Sequence, residues 1–392
     1  MKKFLSLALT FVSISILAQS NTEVYLFNIE KTDKGYQLTN KKNLSQNKGY
    51  DSQPHFYDDN TILFSSSRGG QTDIVMYDIK TGKKVFINST PKGGEYSPQR
   101  IPNSKNVSAV RLDDSGLQRF YEYDIETGKP KELIRSLKVA YPFWYNDKIV
   151  VSSVIGKGGL DLVISDLKYK TNFTIQKNIG RSIHRIPNTS KVSYVSKKGE
   201  VWEIRSLDVA NMRTAKVTDL DGKYEDICWL PDGSILQAKK NQILRFDPKK
   251  DKNWQVFYTI DDSEIQNISR ILVNSDGSMI SIVGEESPRF VVQKQLEAYN
   301  KRDIDAFVNV FDENVKVYSY PNKLQYQGRK EMRKKYAAFF KNTKDLNCKI
   351  VKRIENGNYV IDEELVTANG RKRDAVAIYE VRNGKIVAVT FL

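Results

Sequence analysis

Residues 52–70 read SQPHFYDDNTILFSSSRGG, and they decide the fold because the stretch keeps returning. Set in register at His55, its copies fall at Gln99 (SPQRIPNSKNVSAVRL), Phe143 (YPFWYNDKIVVSSVIGKGG), His184 (SIHRIPNTSKVSYVSKKGE), Cys228 (DICWLPDGSILQAKKN) and Arg270 (SRILVNSDGSMISIVGEE), in steps of 41 to 44 residues. In each copy a short strand meets a turn rich in Asp, Asn and Gly, such as Asp58-Asp59-Asn60 or Asp232-Gly233, and a β-branched strand follows.

A third strand comes next, Asp73 to Asp78 in the first unit and Arg119 to Asp124 in the second, each running into a Thr-Gly-Lys turn at Thr81-Gly82-Lys83 and Thr127-Gly128-Lys129. Looser versions stand at Asp161 to Asp166, Val201 to Asp208 and Ile243 to Asp247. Four antiparallel strands in a unit of this length mark a propeller blade. The copy at Arg270 stops near Glu286 after two strands. The chain opens with two strands of its own, Glu23 to Ile29 and the segment after the turn at Asp33-Lys34-Gly35. These N-terminal strands are expected to complete the last blade, so that a ring of six closes without open edges.

The units resemble the TolB-like propeller family in Tyr96-Ser97-Pro98, in the turn Ser65-Ser-Ser-Arg-Gly-Gly70 and in Tyr77-Asp78 before Thr-Gly. The resemblance covers about residues 22 to 287 and implies the six-bladed ring. It implies no single activity, because such propellers serve as docking scaffolds, peptidase lids and enzymes. No Gly-x-Ser-x-Gly elbow or hydrolase-sized domain follows, which argues against a peptidase lid.

After Ser287-Pro288 the period changes to a helical one: Phe290, Val291, Leu296, Tyr299, then Ile304, Phe307, Val308 and Phe311. A strand from Val315 to Tyr320, a basic helix from Lys330 to Phe340 and four further strands to Leu392 complete an α+β unit. The expected division is a leader at 1–20, a propeller at 21–287 and the C-terminal unit at 288–392. This last unit is similar to the SnoaL-like, nuclear-transport-factor-2-like group related to ketosteroid isomerase. The matching residues are Val291 to Phe307, Phe311-Asp-Glu-Asn-Val315, Gly328 with its helix, and Val381-Arg-Asn-Gly-Lys-Ile386. The resemblance implies a curved sheet wrapped on helices as a cone, open to a small hydrophobic ligand, with a homodimer through this domain. The isomerase's catalytic set is not matched. Gln295 stands at the position of its donor tyrosine, Ser319 or Tyr320 at the base, and Ala377 near the second donor.

The residues expected to line a pocket in the cone are Gln295, Tyr318, Tyr320, Tyr336, Asp362 and Glu364. Alternation puts Asp362 and Glu364 on one face of a strand and Glu363 on the other. Cross-strand charge pairing on a wet outer face, with Arg371 and Arg373, is the simpler expectation for them. An inward pair beside Tyr318 or Tyr336, with a base in an apolar pocket, is the sharper one. In the propeller, the first strand of each blade lines the channel, which nominates His55, Gln99, Phe143, His184 and Arg270. The two histidines fall on opposite blades, too far apart to share an ion, so neither a metal nor any other cofactor is expected. Cys228 and Cys348 lie in different units and are expected to be buried thiols rather than a disulfide.

Lys2 and Lys3 before an apolar run from Phe4 to Leu17, then Ala18-Gln-Ser20, read as a cleaved secretory leader without a lipid-anchoring cysteine. The run is too short to span a bilayer, and a periplasmic or secreted location follows. The net charge of +15 is spread over scattered lysines, with no aromatic interleaving of the kind a nucleic-acid platform needs. Two functions fit these residues. One is an exported, non-catalytic scaffold whose propeller face docks a protein or a cell-envelope component. The other is a small-molecule enzyme or sensor acting through the C-terminal cone.

Overall fold

The computed structural model describes residues 21–33, 35–47, 49–262, 264–382 and 384–392. The leader expected at residues 1–20 lies outside the described residues, as do Lys34 and Asn383 of two expected turns.

Six four-stranded antiparallel blades are present, joined by short turns. Blade one runs from Asp51–Asp58 at the centre to Lys84–Phe86 at the rim, and blade two from Gly93–Arg100 to Pro130–Ile134. Blades three and four share one continuous chain segment. Thr171–Arg185 is the outer strand of blade three and, past register shifts between Leu160 and Val163 and between Ile179 and Ile183, the inner strand of blade four. Blade five spans Ile227–Trp229 to Gln255–Thr259.

Blade six takes its two inner strands, Ile265–Val273 and Met279–Glu286, from the end of the repeat and its two outer strands, Thr22–Thr32 and Gly35–Asn43, from the start of the chain. Val24 stands opposite Val283 and Tyr25 opposite Ile282 in an antiparallel register. The ring therefore closes as the sequence predicts, and no blade is left as a bare pair of strands.

Alternation explains why the blades stack. Along Thr61–Arg68, Ile62 and Phe64 point toward blade six while Leu63 points toward blade two. The same division repeats around the ring, so each of the six gaps between blades has its own buried apolar cluster. Three tryptophans bridge neighbouring blades through their ring N–H, Trp254 of blade five donating to the Asp219 carbonyl of blade four at 2.9 Å. Trp144 of blade three donates to Ser108 Oγ of blade two at 2.8 Å, and Trp229 of blade five donates to Ser193 Oγ of blade four at 2.8 Å. Third strands end in an aspartate that accepts from the backbone of the next turn: Asp78 from Thr81, Asp124 from Thr127, Asp166 from Lys168, Asp208 from Ala210 and Asp247 from Lys249.

Helix α1 (Pro288–Lys301) starts one residue after the last propeller strand, with Pro at a first-turn position where its missing N–H costs nothing, and ends at Arg302 in the left-handed region (φ 56°). Asp303 then caps α2 (Ile304–Asn309) by accepting from Asp305 N and Ala306 N. Helix α3 (Arg329–Asn342) and a six-stranded sheet complete the unit. The sheet order is Lys323–Gln327, Phe311–Ser319, Lys385–Phe391, Arg371–Arg382, Tyr359–Ala368, Asn347–Asn356, with Phe311–Ser319 and Lys385–Phe391 parallel. The hairpin strand Lys323–Gln327 was not expected from sequence. Val291, Val292, Gln295 and Ala298 form the buried stripe of α1, and packing continues through Phe307, Phe311, Met332 and Phe340. Glu286 joins the two units, taking Lys294 Nζ at 2.6 Å and Asn21 Nδ2 at 3.1 Å.

Candidate functional site

Two concavities concentrate the polar chemistry. The first is the propeller channel, a space of about 100 Å³ walled by the inner strands of all six blades. His55, Gln99, His184 and Arg270 line it as expected from the repeat. Phe143 does not. It packs in the cluster between blades three and four, and Arg185 stacks over its ring at 5.8 Å. Tyr141 and Pro142 are blade three's contribution to the wall. Cys228, the remaining member of the row, is buried in the cluster between blades five and six, where burial pushes its thiol up to about 12.

Sequence reading missed the charged centre of the channel. Asp226, at the start of blade five, is held by Arg181 from blade four and by Arg270 from blade six, the latter through Nη1 at 3.1 Å. Arg181 also donates to the Ser269 carbonyl at 3.0 Å and lies 3.8 Å from Glu225, which takes Lys197 at 2.7 Å. Asp226 stands two residues before Cys228, at the entry to the fifth copy of the repeat, and that position next to the nominated row is the signal the sequence carries. Arg270 lies over the Tyr141 ring at 5.7 Å. Poor hydration in the narrow channel holds His55 down at about 4, with His184 and Arg100 adding to the effect. His184 is likewise held near 4 by burial, against the pull of Asp226. Both rings are neutral at physiological pH.

The second concavity is a cleft of about 490 Å³ in the C-terminal unit, lined by Tyr299, Val317, Gln325, Tyr326, Lys335, Tyr336, Phe339 and Phe391. Of the residues expected there, Tyr336 is present. Tyr318 and Tyr320 are not, because alternation along Phe311–Ser319 turns Val317 inward and Tyr318 away, and Tyr320 is exposed in the turn beyond the strand. Behind the cleft the interior is filled by ring contacts among Tyr299, Phe307, Phe311, Tyr336, Phe339 and Phe340.

Asp362 and Glu364 are buried and Glu363 is exposed, so the pair faces inward rather than the wet outer side. Neither lines the cleft. Arg353, on the adjacent strand Asn347–Asn356, grips Asp362 with two bonds of 2.6 Å, in place of the Arg371 and Arg373 expected from sequence. Glu364 accepts from the Tyr379 hydroxyl at 2.9 Å, and burial raises its carboxyl above the ordinary range. Gln295 is buried on the sheet-facing stripe of α1, outside the cleft.

A family model described as a SnoaL-like domain matches residues 292–389. Among solved structures, a cystatin-fold protein of Novosphingobium aromaticivorans is 24% identical over 26% of this chain and 95% of its own, with a TM-score of 0.25. An NTF2-like protein of Cytophaga hutchinsonii is 19% identical over 27% of this chain and 88% of its own, with a TM-score of 0.24. TolB from Acinetobacter baumannii is 14% identical over 68% of this chain and 64% of its own, with a TM-score of 0.45. Comparison with curated proteins gave no match. The chain thus carries a SnoaL-like domain over residues 292–389, preceded by a six-bladed β-propeller that its own N-terminal strands close.

Proposed function

We propose that the chain is an exported, non-catalytic binding protein whose propeller docks a protein or a cell-envelope component, while the SnoaL-like domain holds a small apolar ligand or pairs two copies. The support is that the buried carboxylates of the channel and of the C-terminal sheet are already engaged: Asp226 by two arginines, Asp362 by Arg353, Glu364 by Tyr379. A general base has to be free to take a substrate proton, and a histidine held near 4 is a weak base at neutral pH. A specific feature favours the alternative, a small-molecule sensor or enzyme in the C-terminal domain. The cleft beside Tyr299, Tyr326, Tyr336 and Phe339 is aromatic, with Lys335 at its edge.

The test is retention from a solubilised cell-envelope extract on immobilised protein. The expected result is a reproducible component that excess soluble protein releases. Turnover of a small carbonyl compound that Glu364→Gln abolishes would reverse the assignment.

A further inference from the structure

The charged centre of the channel has more donors than it uses. Arg270 spends Nη1 on Asp226 and on the Ser269 carbonyl, and among the described residues its Nε and Nη2 have no hydrogen-bond partner. Only 15% of the Arg270 side chain is exposed, so those donors face the channel rather than bulk water. Arg181, Arg270 and Lys197 face Asp226 and Glu225, which leaves one positive charge uncompensated. His55 and His184 add no charge of their own, since burial keeps both rings neutral. A guanidinium with its remaining N–H groups directed into a half-dry recess is suited to a planar anion of single charge.

We propose that this level of the channel binds a carboxylate, presented by an acidic side chain or chain end of the docked partner. The assignment rests on the docking role of the propeller and names the group it recognises. Size supports the source. About 100 Å³ has room for roughly three waters at about 30 Å³ each, enough for a carboxylate and the carbon that carries it. The rest of such a ligand must lie outside the channel, on the propeller face. The Tyr141 ring beside Arg270, with the Gln53 side chain that accepts from the Ser97 N–H at 2.8 Å, gives that stem a mixed apolar and polar wall.

The experiment uses the full chain and fluorescence anisotropy with a labelled, end-blocked Gly-Ser-Asp-Ser-Gly peptide, its Asn counterpart, and sodium acetate and inorganic phosphate as competitors. Binding of the Asp peptide, weakened about tenfold or more by the Asn replacement and by Arg270→Met, is expected from loss of a charge-assisted hydrogen bond. Arg270→Lys, which keeps the charge and loses the fork, should retain part of the affinity, with melting temperature reporting that each variant is folded. Acetate competing far more weakly than the peptide assigns the carboxylate to a macromolecular partner, and equal competition assigns it to a free small acid. Equal binding of the Asp and Asn peptides, or displacement by phosphate in preference to acetate, overturns the proposal. If an envelope component is still retained in that event, the docking role stands and only the carboxylate fails.

Discussion

Asp51 is fully buried where blade one meets blade six, and its Oδ1 has no partner while Glu23 lies close enough for like-charge repulsion. Burial is the main cause that raises its pKa to about 7, with Glu23 adding to it. A carboxyl raised by folding holds its proton more tightly in the native chain. Its contribution is complete below the ordinary carboxylate range and is lost as pH rises through about 7. The melting temperature should therefore fall from about pH 5 to pH 8, and Asp51→Asn should flatten that slope while raising the melting temperature at pH 8. The channel histidines act in the opposite sense. Folding lowers them to about 4, so their contribution is complete above about 6.5 and is lost as pH falls toward 4. The double variant His55→Gln, His184→Gln should unfold with less acid dependence over that window, measured by circular dichroism against pH.

At the scale of elements, blade order rests on a few directed bonds as much as on apolar stacking. Trp144→Phe keeps the ring burial but leaves Ser108 Oγ without its donor, which should cost about 1–2 kcal/mol in chemical denaturation. Gly128, at φ 68° in the Thr-Gly-Lys turn of blade two, lies against the Ile87 carbonyl of the neighbouring blade. Gly128→Ala should cost about 1–3 kcal/mol by strain and collision, more than Gly116→Ala, whose added carbon meets nothing within 4 Å. In the C-terminal domain the two expected faces of the Asp362 strand were legible from alternation, but which face turned inward was not. That choice depends on Arg353, nine residues earlier, arriving opposite Asp362 when the hairpin closes.

For the whole molecule, the closure of blade six by Thr22–Thr32 and Gly35–Asn43 makes the first strands of the chain as necessary as the last repeat. Deleting residues 21–45 should abolish cooperative unfolding of the propeller by exposing the pairing edge of Met279–Glu286 and the cluster around Val24 and Leu26. A chain ending at residue 287 should keep that transition, as calorimetry of both truncations would show. The repeat alone determined the ring, its six-fold count and its closure, because a period near 43 residues with four strand signals admits few other packings and an incomplete last copy needs its missing strands from somewhere. Helical periodicity after Pro288 likewise determined the second α+β unit. Only the tertiary structure decided what faces what. Phe143 packed between blades three and four rather than into the channel, Arg181, Asp226 and Arg270 from three different blades met at its centre, and aromatic rings from three helices filled the interior behind the cleft. The meeting at the channel centre is set by contacts between residues 44 or more positions apart, and periodicity along a single strand carries no information about it.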